Sequence, residues 1–95
     1  MFIIDLNYLV PLEQLDEYIV AHRQYLDKYY NTGRFIASGA KIPRTGGIIL
    51  SLAGSAEELE QIITEDPFYQ HNLAEFKITQ FLTSKHHPAL ADLLK

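Results

Sequence analysis

Hydrophobic and polar residues alternate at the start of the chain: Phe2, Ile4, Leu6 and Tyr8 stand against Ile3, Asp5 and Asn7. Strand side chains point to opposite faces with period two, so this stretch predicts a strand with one well-buried face. From 12 to 30 the period changes. Leu12, Leu15, Ile19, Leu26 and Tyr29 follow three- and four-residue steps once position 22 is counted, the stripe of an amphipathic helix, and Pro11 suits its first turn. Asn31, Thr32 and Gly33 end it. Phe35 to Ala40 and Gly47 to Ala53 read as two strands joined by KIPRTGG, whose Pro43, Gly46 and Gly47 mark a turn too long for a two-residue hairpin. Ser55 with Glu58 forms a capping box for a second helix with Leu59, Ile62 and Ile63 facing inward. Asp66-Pro67 stops that helix, because the residue before proline avoids helical dihedrals. From Ala74 to Leu82 the alternation returns, Ala74, Phe76 and Ile78 against Glu75, Lys77 and Thr79, predicting a last strand. The tail HHPALADLLK reads as one or two helical turns after Pro88.

The order strand, helix, strand, strand, helix, strand is the split βαβ arrangement of a ferredoxin-like α+β fold. Right-handed crossovers place both helices on one face of a four-stranded antiparallel sheet. The other face, with Ile3, Asp5, Asn7, Glu75, Lys77, Thr79 and Phe81, is left to solvent or to a second copy of the chain. FIASGA and GIILSLA are apolar almost throughout, so their facing is open at this level. No repeat or linker divides the chain, which reads as a single domain over 1–95 with a tail from 85 to 95.

Composition narrows the function. With 95 residues, 47% hydrophobic and 21% charged, this is an ordinary globular domain. A domain of such length buries only ~60–68% of its unfolded surface, so a second subunit would help it. Eight Lys and Arg against 12 Asp and Glu give a net charge of −4, which disfavours nucleic acid and anionic membranes as partners. The absence of Cys excludes disulfides, thiolate catalysis and Cys-ligated metal, and fits a reducing cytoplasm. MFIIDLNYLV lacks a basic leader and meets Asp5 and Asn7 at once, so it reads as neither signal peptide nor membrane span.

Two residues carry candidate chemistry. His22 falls on the core-facing stripe of the first helix, either as a space-filling imidazole or as a general base or acid, since histidine ordinarily titrates at ~6.5. Asp66 precedes Pro67 and is either a helix cap or a carboxylate that faces the imidazole and fixes its tautomer. The two helices share one face of the sheet, so a meeting is sterically open. Ser38, Gly39 and Arg44 offer a hydroxyl, backbone N–H groups and a cation to an anionic substrate, although hairpin turns use the same residues. His86-His87 lacks a third ligand at metal-site spacing and reads as a solvated tail. No GxGxxG, P-loop, GxSxG or HExxH motif is present. Tyr18, Tyr25, Tyr29 and Tyr30 on one helix suggest a packing or dimer surface, or an aromatic pocket.

The N-terminal strand, the run VPLEQLDEYIVAHRQYLDKYYNTGRFIASGAKIPRTGGIIL and the EDPF before the last strand together resemble the YCII-like family of small proteins, from Phe2 to Leu82. The most specific matches are His22 followed by Tyr25-Leu26, the Ser38-Gly39 turn and Asp66-Pro67-Phe68; Ala40 departs, since the family often has Pro there. The resemblance implies a dimeric α+β barrel related to the muconolactone isomerase type, with a His–Asp active site that falls on His22 and Asp66. The expected function is that of a homodimeric, cofactor-free and metal-independent enzyme, an isomerase or lyase on a cyclic or aromatic-ring metabolite. In it His22 moves a proton, Asp66 orients the ring, and Ser38, Gly39 or Arg44 holds a polar group. The alternative is a non-catalytic module binding a small ligand or a protein through the same cleft.

Overall fold

The most regular alternation in the chain becomes the centre of the sheet. In the computed structural model, which describes residues 1–94, β1 (Phe2–Tyr8) pairs antiparallel with β3 (Gly46–Ser51) on one side and β4 (Ala74–Gln80) on the other. With β2 (Phe35–Ala40) at the far edge, the order is β2-β3-β1-β4, the four-stranded antiparallel sheet expected of the fold. Residues directly opposite one another share a face. Ile4 lies between Ile49 and Ile78, and Leu6 between Gly47 and Phe76, on the face covered by helices. Ile3, Asp5 and Asn7 lie with Ile48, Leu50, Lys77 and Thr79 on the open face.

Pairing also settles the two apolar strands. A register shift between Phe35 and Ala37 lets Phe35 enter the core and puts Ser38 opposite Ile49, on the helix side, while Gly39 faces Ile48 on the open side. β3 begins one residue earlier and ends two earlier than the pattern predicts. At its end the Ser51 hydroxyl donates to Arg34 O at 2.9 Å and accepts from Ala53 N at 3.2 Å, turning the chain out of the ladder. At its start, a Cβ on Gly46 would lie 1.8 Å from the Leu6 carbonyl oxygen, so only glycine fits. β4 stops at Gln80, short of Leu82.

The single helix expected over 12–30 requires correction. It divides into α1 (Leu12–Asp16) and α2 (Ile19–Asn31), because Tyr18 adopts φ −109°, ψ 4° and its N–H bonds the Leu15 carbonyl three residues back. The break changes the phase of the stripe. Leu12 is exposed, and α2 buries His22, Tyr25 and Tyr29, spaced i, i+3, i+7, while Leu26 is half-buried at the flank. Tyr25 can enter the core because its hydroxyl donates to Ile62 O at 3.0 Å.

α3 (Ala56–Ile63) is capped by Ser55, whose hydroxyl accepts from Glu58 N at 3.1 Å. Glu58 reaches back to Gly54 N at 3.2 Å, one residue earlier than in a standard capping box, and also pairs with Arg34. A short α4 (Pro67–Gln70) follows, then β4 and a 3₁₀ turn at Pro88–Leu90. Lys95, the last residue of the expected tail, lies outside the described residues. Phe2, Ile4, Leu15, Phe35, Leu59 and Phe68 anchor the core between sheet and helices. Among the described residues no helix is long and apolar enough to cross a membrane.

Candidate functional site

The split first helix decides where His22 points. Starting α2 at Ile19 sets His22, Tyr25 and Tyr29 on the face that meets the junction of α3 and α4, and each makes a polar contact there. Tyr29 donates to Glu65 Oε2 while Lys28 of the same helix donates to Oε1, and Tyr25 donates to the Ile62 carbonyl. Burial first, and the nearby Asp66 charge second, hold the Tyr25 hydroxyl far above the usual phenol range, so it stays a donor. These contacts clamp the segment that carries Asp66.

Asp66 does two things with one oxygen. Its Oδ1 accepts from the backbone N–H of Phe68 at 2.9 Å, capping α4 with Pro67 at the first helical position, and also accepts from His22 Nδ1 at 2.8 Å. The cap and the imidazole partner are therefore the same carboxylate. Asp66 is fully buried, and its Oδ2 has no hydrogen-bond partner among the described residues. The imidazole stacks on the Phe68 ring, centroids 4.0 Å apart and planes 3° from parallel. With Nδ1 committed to Asp66, Nε2 is the nitrogen left over; it makes no hydrogen bond among the described residues and is not sealed from solvent.

His22 forms part of the wall of a cavity of about 210 Å³ between α2, the sheet and the β2–β3 hairpin. Leu6, Ile19, Leu26 and Ile49 give it apolar sides, with Phe68 beside the imidazole. Ser38, Gly39 and Arg44 line the same cavity, so the structure gathers four of the five candidate residues around one space. Asp66 stands behind His22 and does not line it. Ser38 Oγ shares a 2.5 Å hydrogen bond with the Tyr30 hydroxyl. Arg44 donates to Asp16 at 2.6 Å; that bond holds the Asp16 carboxyl below, and the guanidinium above, their ordinary ranges. His86 and His87 serve the local tail turn, His86 Nδ1 donating to His87 O and His87 Nδ1 accepting from Ala89 N, both at 3.0 Å. Among the described residues no group of three His, Asp or Glu side chains could hold a metal ion.

The sequence pattern does not mark Arg23 or Tyr8 as site residues, yet both line the cavity. Tyr8 continues the inward set of β1, which is the one signal that could have found it. Arg23 follows His22 on α2 and is exposed, and the sequence gives no sign that the cavity opens beside it.

A family model described as the YCII-related domain matches residues 1–82. No curated protein sequence matches significantly. Among solved structures the chain is similar to 5-chloro-2-hydroxyhydroquinone dehydrochlorinase of Burkholderia phenoliruptrix, solved in complex with 2,5-dihydroxybenzoquinone. The two share 19% identity at a TM-score of 0.71, over 94% of this chain and 98% of that one. At that identity the likeness establishes a common fold.

Proposed function

The chain belongs to the YCII-related family, and on that premise we propose that it is a small-molecule enzyme in which His22 and Asp66 perform acid–base chemistry on a ring metabolite. The observation that carries the reading is the 2.8 Å His22–Asp66 hydrogen bond at the wall of a cavity, with Nε2 open. Nδ1–H donates to Asp66, so the Nε2 lone pair accepts a proton from a substrate C–H or O–H. The imidazolium so formed is stabilised by the buried carboxylate. Returning that proton to a different substrate atom completes an isomerisation; in an elimination the pair freed from the C–H bond becomes the new double bond, the leaving group departs with its own bonding pair, and His22 passes its proton to the leaving group or to water. Stacking on Phe68 fixes the plane of the imidazole, which limits the atoms it can reach.

Size supports a single ring. An apolar cavity of ~150 Å³ holds benzene, so the ~210 Å³ here accommodates one six-membered ring with a few small substituents. The structural neighbour is a dehydrochlorinase named for a substituted hydroquinone and solved with a substituted quinone, which is the same ligand class. Ser38, Gly39 and Arg44 are proposed to contact the substituents. The protein acts as a homodimer closed over its open sheet face, in the cytoplasm, and the scheme invokes no cofactor.

The test is a screen of small aromatic acids, lactones and phenols by thermal shift and NMR, followed by turnover assays on the hits. His22→Ala should lose ~10²–10⁴ in turnover with the fold intact, the usual worth of a general acid–base. Near-normal turnover in the folded variant would refute the reading, and ligand binding with no turnover in the wild type would leave a ring-binding module.

A further inference from the structure

The chain carries a net charge of −4, yet among the described residues the cavity beside His22 has two guanidiniums, Arg23 and Arg44, in its lining and no carboxylate. The two cations differ in their state. Arg44 spends its Nη2 on Asp16 at 2.6 Å, with Nη1 at 3.5 Å from the second oxygen. Arg23 makes no hydrogen bond and no close ion pair among the described residues; its field reaches Asp16 only as the weakest of the influences on that carboxyl. An arginine is charged at every accessible pH and presents its N–H groups in a planar fork that suits a carboxylate or a similar anionic oxygen. Asp16 therefore neutralises one cation at the rim and leaves the other available.

Building on the proposed ring chemistry, we infer that the ligand carries an anionic oxygen, as carboxylate or phenolate, and that Arg23 is the residue that receives it. Arg23 immediately follows His22 on α2, so the anion-binding and proton-transfer groups sit on one rigid element. Arg23 is itself exposed, so the interaction has the worth of a partly solvated charge-assisted hydrogen bond. Arg23 is then a binding and specificity residue, and the Arg44–Asp16 pair holds the hairpin over the cavity.

The experiment compares 2-hydroxybenzoate with 2-hydroxybenzamide, one ring with and without the charge, by calorimetry on the full chain, with His22 ring signals followed by NMR. The wild type should bind the carboxylate about tenfold or more tightly than the amide, in line with a charge-assisted hydrogen bond. Arg23→Gln should bring the two within about twofold without weakening the amide, while Arg23→Lys keeps part of the preference. Because Arg23 is exposed, the urea midpoint should not move. A wild type without preference, a preference that survives Arg23→Gln, or one abolished by Arg44→Gln alone would overturn the inference. In those three cases ring binding that perturbs His22 would leave the proposed function standing. If neither ring binds, or binding leaves His22 unperturbed, both readings fall. Phenol against its phenolate, compared by raising the pH, tells which anionic oxygen Arg23 prefers.

Discussion

Asp66→Asn and Asp66→Ala separate the two duties of one oxygen. Oδ1 accepts from His22 Nδ1 at 2.8 Å and from Phe68 N at 2.9 Å, while Oδ2 is buried without a partner among the described residues. Asp66→Asn can keep its amide oxygen at the Oδ1 position and so keep both hydrogen bonds. Its NH₂ then lies where Oδ2 lay, with no acceptor, a burial cost of ~1–3 kcal/mol. Asp66→Ala loses both bonds and strands the Phe68 N–H at the start of α4, so the loss should reach ~3–5 kcal/mol. For a domain of this size each kcal/mol lowers Tm by roughly 4–8 °C. Urea unfolding followed by far-UV circular dichroism gives both values if the slope stays constant. Long-range nitrogen–proton NMR reads the imidazole directly: wild type and Asp66→Asn should hold the proton on Nδ1, and Asp66→Ala should release it to either nitrogen. On a turned-over substrate Asp66→Asn should still be slow, since an amide cannot stabilise imidazolium as a carboxylate does. Equal stability of the Asn and Ala variants would show that the shared oxygen supports neither the cap nor the imidazole, and an Nδ1–H tautomer that persists in Asp66→Ala would show that it does not hold the imidazole.

Two glycines of the hairpin should respond in opposite ways. Gly46→Ala puts a Cβ 1.8 Å from the Leu6 carbonyl oxygen and should cost ~3 kcal/mol or more, whereas Gly39→Ala meets nothing within 4 Å and should stay within ~0.5 kcal/mol, both read from urea midpoints. Acid should weaken the fold in a defined window. Asp16 is held below its ordinary 3.8 chiefly by the Arg44 hydrogen bond, and Glu65 below its ordinary 4.5 by Lys28 and then Tyr29. With folded values depressed, the unfolded chain binds more protons, so their contribution is present above the ordinary values and lost as pH falls through the folded ones. Urea midpoints at about pH 5 and pH 3 should show a modest loss, since both groups are exposed, and Glu65→Gln should lose less than wild type. On the open face, Ile3, Ile48 and Leu50 are expected to close on a second copy, burying more than ~1,200 Å². Light scattering should give twice 10.9 kDa, and Leu50→Lys should halve it; a wild-type monomer at tens of micromolar would refute the dimer.

Much of this molecule is local, and local physics is written in sequence. The period-two alternation of Phe2 to Tyr8, the Ser55 cap and the Asp66-Pro67 stop each depend on neighbours a few residues away, and each appears where the pattern puts it. His22 and Asp66 were both legible as candidates for the same reason: one sits on a helical stripe, the other before a proline. Tertiary structure alone decided that they meet, across 44 residues of chain, and that cap and imidazole partner are one oxygen and not rival roles. It also decided the facing of Ser38 and Gly39, because an apolar strand carries no polar alternation to betray its inward side and only the register with β3 supplies it. The phase of α2 belongs to the same class: Tyr25 became core and Leu26 flank because the chain broke at Tyr18 and the hydroxyl found the Ile62 carbonyl. Arg23 shows the limit most plainly. A guanidinium on a helix looks the same in sequence whether or not a cavity opens beside it, and what distinguishes the two is which distant segments complete that cavity and which carboxylates they bring.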